Sequence, residues 1–235
     1  MRKIYLFTTI GLVSAISSFG QVLFGIQGSG QSTNIAVTAP VGGQQIVSDL
    51  SAYLKPKYGF RAGLMADIPI TDNLSLRPQL LYSAKGTTLD LSSLLGGLGS
   101  VDKSVFQAPI SYNFIELPIQ AMYGLDAGPG RVVLGAGPYV GYLLNANVTF
   151  SGDTQDVDLA GTKRLDLGAQ ASIGYELPMG ITASVYYAHG FTNLSSDQGV
   201  SSSGGATPSL SINGAGTANT RAFGLTIGFF FGAGN

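Results

Sequence analysis

The chain has 235 residues, no cysteine, 11% charged residues and a net charge of −1. Soluble domains carry roughly 25% charged residues, so an ordinary solvated surface is disfavoured. The lack of cysteine excludes disulfide stapling, thiolate chemistry and lipoprotein anchoring, and the near-neutral balance gives no basis for nucleic-acid binding.

In chain order, Arg2 and Lys3 precede an apolar stretch from Ile4 to Ile16, followed by Ser18, Phe19 and Gly20. A basic start, a short apolar run and small residues before a cleavage point predict a secretory signal over 1–20, removed before Gln21. The run is too short for a membrane-spanning helix. Residues 21–235 then fit one domain.

Strands are predicted near Val22 to Gly30, Tyr58 to Ile70, Leu74 to Lys85, Tyr112 to Gly124, Val132 to Leu144, Arg164 to Leu177, Ile181 to Phe191 and Thr220 to Phe231. The clearest is the sixth, with Leu165, Leu167, Ala169, Ala171, Ile173, Tyr175 and Leu177 on one parity. Asp166, Gly168, Gln170, Ser172, Gly174 and Glu176 fall on the other. Successive strand side chains point to opposite faces, so one face suits hydrocarbon and the other suits polar packing. The second strand repeats the pattern, with Phe60, Ala62, Leu64, Ala66 and Ile68 set against Gly59, Arg61, Gly63, Met65 and Asp67. Both exceed the roughly 9–11 residues that a tilted transmembrane strand needs.

No segment after the signal approaches the ~18 uninterrupted apolar residues of a membrane helix. Hydrocarbon leaves open backbone groups unsatisfied, so a membrane chain without such a helix must close a barrel. The fold expected is all-β, an eight-stranded antiparallel up-and-down transmembrane β-barrel. Its even strand count matches bacterial barrels. Thr71 to Asn73, Asp126 to Gly130 and Pro178 to Gly180 are short turns, whereas Gln31 to Lys57, Gly86 to Ser111, Asn145 to Lys163 and Thr192 to Asn219 are long. Short periplasmic turns alternate with long extracellular loops in such barrels, which puts both termini in the periplasm of a bacterium with an outer membrane.

Aromatic residues on the apolar parity fall into two rings. Phe60, Tyr82, Tyr142 and Tyr187 lie toward the long loops, and Tyr123, Tyr175, Phe229 and Phe231 lie at the turns. Headgroup-level girdles have this arrangement, although strands are enriched in Tyr and Phe in any case. Pro78, Pro118 and Pro138 interrupt three consecutive strands. A barrel has no edge to excuse a missing donor, so β-bulges are expected there.

Leu76 to Ser83 (LRPQLLYS), Ile115 to Ile119 (IELPI), Gly135 to Tyr142 (GAGPYVGY) and Gly168 to Tyr175 (GAQASIGY) resemble the PorT-like "porin family" outer-membrane β-barrels of Bacteroidetes. The resemblance spans nearly the whole chain after the signal, and its motifs are structural. It implies an eight-stranded barrel inserted by the outer-membrane barrel assembly machinery, usually without an assigned molecular function. Family members commonly end on an aromatic residue, whereas here Gly232, Ala233, Gly234 and Asn235 follow Phe231.

The inward parity carries Arg61, Asp67, Arg77, Lys85, Glu116, Asp166 and Glu176, together with Gln79, Gln120 and Gln170. Eight strands leave an interior just wide enough for side chains to fill. These charges therefore either pair as a structural core or line a narrow polar path. His189 is the single histidine, near Ser195, Ser196 and Asp197. A catalytic set needs a base oriented by a third group, and the sequence fixes no such geometry. Asp153, Asp156 and Asp158 lack the Gly and distal Glu of an EF-hand loop. Leu89, Leu91, Leu94, Leu95, Leu98 and Val101 make the second loop apolar, which suits a plug, a strand extension or a partner surface.

The function expected is a non-enzymatic structural or interaction protein of the outer membrane, with no cofactor and no metal. Its partners would be outer-membrane lipid, the assembly machinery during biogenesis, and an extracellular or envelope protein met through the loops. A narrow porin-like channel and a lipid-modifying enzyme using His189 are the alternatives. A soluble ligand-binding barrel shares the strand pattern but would turn Arg61, Asp166 and Glu176 outward.

Overall fold

The structure, a computed structural model, describes residues 22–38, 54–90, 107–150, 153–156, 159, 163–192 and 217–233. Their strands are β1 (Leu23–Thr38), β2 (Leu54–Pro69), β3 (Leu74–Asp90), β4 (Gln107–Ala127), β5 (Gly130–Phe150), β6 (Asp153–Asp156), β7 (Leu165–Glu176), β8 (Ile181–Gly190) and β9 (Thr217–Phe231). Every adjacent pair is antiparallel. The strand order runs β4-β3-β2-β1-β9-β8-β7-β5, and pairing of β4 with β5 closes the cylinder. Eight strands thus form the barrel, and the short β6 adds onto β5 beyond it.

Alternation in the sequence sets which side faces out. On β7, Leu165, Leu167, Ala169, Ala171 and Ile173 are exposed, while Asp166, Gly168, Gln170 and Glu176 are buried. On β9, Phe223, Leu225, Ile227, Phe229 and Phe231 point out, and Thr226 and Phe230 point in. The inside is polar and the outside apolar, the reverse of a soluble ligand-binding barrel. Arg61, Asp166 and Glu176 all lie within.

The strands run further toward the loop end than the alternation signal alone predicts. β4 and β5 each have 21 residues, about 70 Å at strand rise and roughly twice what a bilayer needs. Beyond the apolar belt, β5 continues through Asn145, Asn147 and Thr149 on one face and Ala146 and Val148 on the other. Its outward side becomes polar there, so the membrane signature ends before the strand does. Part of the apolar second loop is strand: β3 reaches Asp90 and β4 begins at Gln107, while residues 91–106 lie outside the described residues. By contrast, among the described residues β7 starts at Leu165 and β8 ends at Gly190.

The three prolines do not sit at bulges. Pro78 faces Ile119 and Leu81 faces Glu116, so the β3–β4 register is the same on both sides of the unpaired stretch. Pro118 faces Tyr139 and Ala121 faces Ala136, which preserves the β4–β5 register in the same way. The register shifts that do occur lie between Pro56 and Phe60 and at Asn113/Phe114. The prolines form a diagonal across three neighbouring strands where ladder bonds are omitted and alternation continues. The strands draw close there: an added Cβ on Gly137 would lie 1.9 Å from the Ile119 carbonyl oxygen.

Replacing Gly137 with Ala is therefore expected to force the β4 and β5 backbones apart, at a cost of about 1–3 kcal/mol of overpacking. The midpoint of urea unfolding in phospholipid vesicles would fall, and the same substitution at outward Gly28, where an added Cβ meets nothing, would leave it unchanged.

Candidate functional site

The lumen holds the densest chemistry in the chain, in two ionic layers with an amide layer between them. At the turn end, the Arg77 Nε and one terminal nitrogen donate to Asp67 Oδ1 at 2.9 and 2.8 Å. The same terminal nitrogen lies 2.7 Å from Glu176 Oε1. Arg131 reaches Glu176 Oε2 at 2.7 Å and Asp67 Oδ2 at 3.8 Å. The Ser75 hydroxyl donates to Asp67 at 2.8 Å, and the Arg77 guanidinium lies over the Phe230 ring at 4.9 Å.

Nearer the loop end, Lys85 Nζ sits 2.5 Å from Glu116 Oε1 and 3.8 Å from Asp166 Oδ2. Asp166 Oδ2 also accepts from the Thr220 hydroxyl at 2.8 Å and the Tyr139 hydroxyl at 3.1 Å. Arg61 donates to Gln170 Oε1 at 2.7 Å, stacks on the Tyr186 ring at 3.7 Å and lies 3.7 Å from Glu116. The Tyr186 hydroxyl donates to Gln31, which in turn donates to Ser83 and to the Phe60 and Ala84 carbonyls. Glycines make room for the rings, since an added Cβ on Gly168 would strike Tyr139 and one on Gly224 would strike Tyr186.

Between the layers, Gln27 donates to Gln79 at 2.7 Å, Gln79 to Gln120 at 2.9 Å, and Gln120 to the Ser172 hydroxyl at 3.1 Å. Met65, Met122 and Val133 fill around this crossbar. The central cavity that remains measures about 20 Å³, roughly the space of one water molecule. Two larger cavities of about 500 and 420 Å³ open at the turn end. Both are lined by Leu23 and Arg131, and they meet the ion pairs of Asp67 and Glu176.

Each ionic layer contains two cations and two carboxylates, so each is neutral by itself. All seven inward charges predicted from parity lie in these layers. Arg131, Tyr139, Tyr186 and Gln31 belong there as well and were not picked out from the sequence. Arg131 and Gln31 fall outside the predicted strand limits. Their parity signal was nonetheless present, because Arg131 lies two residues before inward Val133 and Gln31 two after inward Ser29.

The aromatic positions face outward at the two ends of the belt. Phe60, Tyr82, Tyr142 and Tyr187 lie at the loop end, and Tyr123, Phe229 and Phe231 at the turn end, all exposed. Tyr175 is half-buried, with its hydroxyl donating to the Ala127 carbonyl at 2.7 Å and accepting from the Gly130 amide at 3.0 Å. It thereby ties down the turn between β4 and β5.

His189 points outward from β8 between two rings, with centroids 6.4 Å from Tyr187 and 5.4 Å from Phe191. Its Nδ1 lies 3.4 Å from the Tyr187 hydroxyl. Ser195, Ser196, Asp197 and Asp158 lie outside the described residues. Asp156 accepts from Asn147 across the β5–β6 pair. Among the described residues, no group of His, Cys, Asp and Glu side chains is arranged to hold a metal ion.

The model of a family described as outer membrane protein beta-barrel domain matches residues 18–196. No curated protein matches the chain in sequence. Among solved structures, the chain is similar to Neisserial surface protein A, at 12% identity and a TM-score of 0.43, over 89% of this chain and 99% of that one. It is also similar to OprG from Pseudomonas aeruginosa, at 10% identity and a TM-score of 0.49, over 91% and 97%. The attachment invasion locus protein Ail of Yersinia pestis, in complex with a heparin analogue, stands at 8% and 0.43, over 90% and 100%.

Replacing Arg77 with Met is expected to cost about 3–5 kcal/mol, because it strands the Asp67 and Glu176 carboxylates in a buried site. Adding Glu176→Gln should return part of that loss, with Asp67 still held by Ser75 and Arg131. Urea titration of the folded barrel in vesicles measures both.

Proposed function

Because the chain belongs to the outer membrane protein β-barrel domain family, we propose that it is a non-enzymatic structural or interaction protein of the bacterial outer membrane whose lumen is a packed core and not a passage. In this reading the termini are periplasmic and the long-loop end is extracellular. The observation that carries it is the pair of neutral ionic layers, with only about 20 Å³ free between them. A charge-balanced interior with so small a central cavity gives an ion no continuous route. Each of the four carboxylates in the two layers is already engaged by a cation at 2.8 Å or less, or by hydroxyls.

The interaction role is supported by length. Strands β3, β4 and β5 with β6 rise well beyond the apolar belt and build a rigid platform for loops. Binding residues are often carried on loops held by such scaffolds. A protein partner met at that end, and membership of the PorT-like group suggested by the sequence motifs, belong to this proposal. Against an enzyme stands His189, which among the described residues lies between two aromatic rings and opposite Ala169 and Arg221, with no carboxylate beside it to orient it as a base.

In planar bilayers the protein, shown to be folded by its shift in gel mobility on boiling, is expected to give no stable discrete openings. Openings that change when Arg77 is replaced by Ala would instead establish the lumen as a pathway and overturn the packed-core reading.

A further inference from the structure

The lumen uses most of the buried charges, but one cation lies on the other side of the wall. Arg221 is exposed on the outward face of β9, directly beyond the apolar run Phe223, Leu225, Ile227, Phe229 and Phe231. Its cross-strand neighbours are His189 on β8 and Asn34 on β1, neither of them acidic. It makes no ion pair or hydrogen bond with any of the described residues. A guanidinium at the edge of an apolar belt, with no carboxylate opposite, is an open anion receptor with five fixed donors.

The surroundings point to a lipid as the source of that anion. Phe223 and Tyr187, 57% and 48% exposed, face each other one step toward the turn end from the pair, an apolar floor suited to acyl chains directly below the charge, and Phe191 flanks His189 on the loop side. His189 is held between two rings, with Nδ1 facing the Tyr187 hydroxyl. In the tautomer whose Nδ1 accepts from Tyr187, Nε2 carries the proton and is a second donor on the residue that faces Arg221. Among the described residues, β8 continues only one residue past His189, to Gly190.

We propose that Arg221 and His189, on the lipid-facing wall at the loop end, form a binding site for the phosphate of a phosphorylated lipid headgroup. This rests on the reading that the apolar belt lies in a bilayer. If the loop end is extracellular, the ligand is the phosphorylated glycolipid of the outer leaflet. The guanidinium makes paired N–H···O bonds to the phosphate, His189 adds one more, and the acyl chains lie against Phe223 and Tyr187.

The test is native mass spectrometry of the purified protein from neutral detergent micelles, with bis-phosphorylated glucosamine-disaccharide lipid, the same lipid with its phosphates removed, or inorganic phosphate added. Only the fraction showing the folded gel-mobility shift is scored, so loss of the shift reports failure of the barrel reading and not of the site. The wild type is expected to retain the phosphorylated lipid and not the dephosphorylated one. Arg221→Gln should weaken retention roughly tenfold or more, the worth of a charge-assisted pair, and His189→Gln should weaken it by a smaller factor. Arg164→Gln is the control, removing an exposed cation just before β7, five residues ahead of the Ala169 that faces His189. Equal retention by wild type and Arg221→Gln, equal loss with Arg164→Gln, or displacement of the lipid by an equal concentration of inorganic phosphate would each overturn the proposal. Should Arg221→Gln not fold, His189→Gln and the dephosphorylated lipid decide it.

Discussion

Hydrocarbon provides no hydrogen-bond partners, so every backbone donor and acceptor inside a bilayer must be satisfied by the chain itself. The rest of the architecture follows from that constraint. It requires the β4–β5 pairing that closes the sheet, and closure forces alternate side chains into an enclosed interior while the others meet lipid. The alternation along β7 and β9 is the constraint expressed in sequence. Even the prolines obey it: Pro78, Pro118 and Pro138 lie on one diagonal, so the ladder bonds they omit fall on a single oblique line with the same register on its two sides.

Once enclosed, the polar parity has its own problem, because a buried charge without a counter-charge costs several kcal/mol. The chain solves it in layers. Arg77 and Arg131 bind Asp67 and Glu176 near the turns, and Lys85 and Arg61 hold Glu116 and Asp166 near the loops. Amides cross between them from Gln27 to Ser172. The turn-end layer draws on β2, β3, β5 and β7 and the loop-end layer on β2, β3, β4 and β7, so the ion pairs brace the cylinder across its width. A stiff, filled cylinder suits a scaffold for loops better than it suits a conduit.

Much of this was legible in the sequence, because a period of two is hard to hide. Arg61, Asp67, Arg77, Lys85, Glu116, Asp166 and Glu176 were identified as inward from parity alone, and the three short connections were placed between the correct strands. What parity does not encode is reach. Which cation meets which carboxylate depends on strand tilt and side-chain length, so the split into two neutral layers appears only in three dimensions. Strand ends were underestimated for a related reason: beyond the belt the outward face of β5 is Asn145, Asn147 and Thr149, and the apolar cue stops while the hydrogen-bond ladder continues. Tyr139 and Tyr186 carry a mixed cue, because their parity is inward while aromatic residues on barrel strands usually mark the lipid face. Here Gly168 and Gly224 let them turn inward. The β6 hairpin, a four-residue strand among loop residues, carries too little pattern to be seen.

The central claim, that the lumen is a sealed core and not a water-filled path, is most directly tested by thiol accessibility, which the absence of native cysteine makes clean. A single cysteine at Gln120, in the middle of the amide crossbar, would be probed with a small water-soluble, membrane-impermeant thiol reagent in the folded, bilayer-inserted protein, against a cysteine at exposed turn residue Asp72 as the reactive reference. The account predicts labelling at Asp72 and none at Gln120 until the barrel is unfolded. Comparable labelling at both positions in the folded state would contradict it.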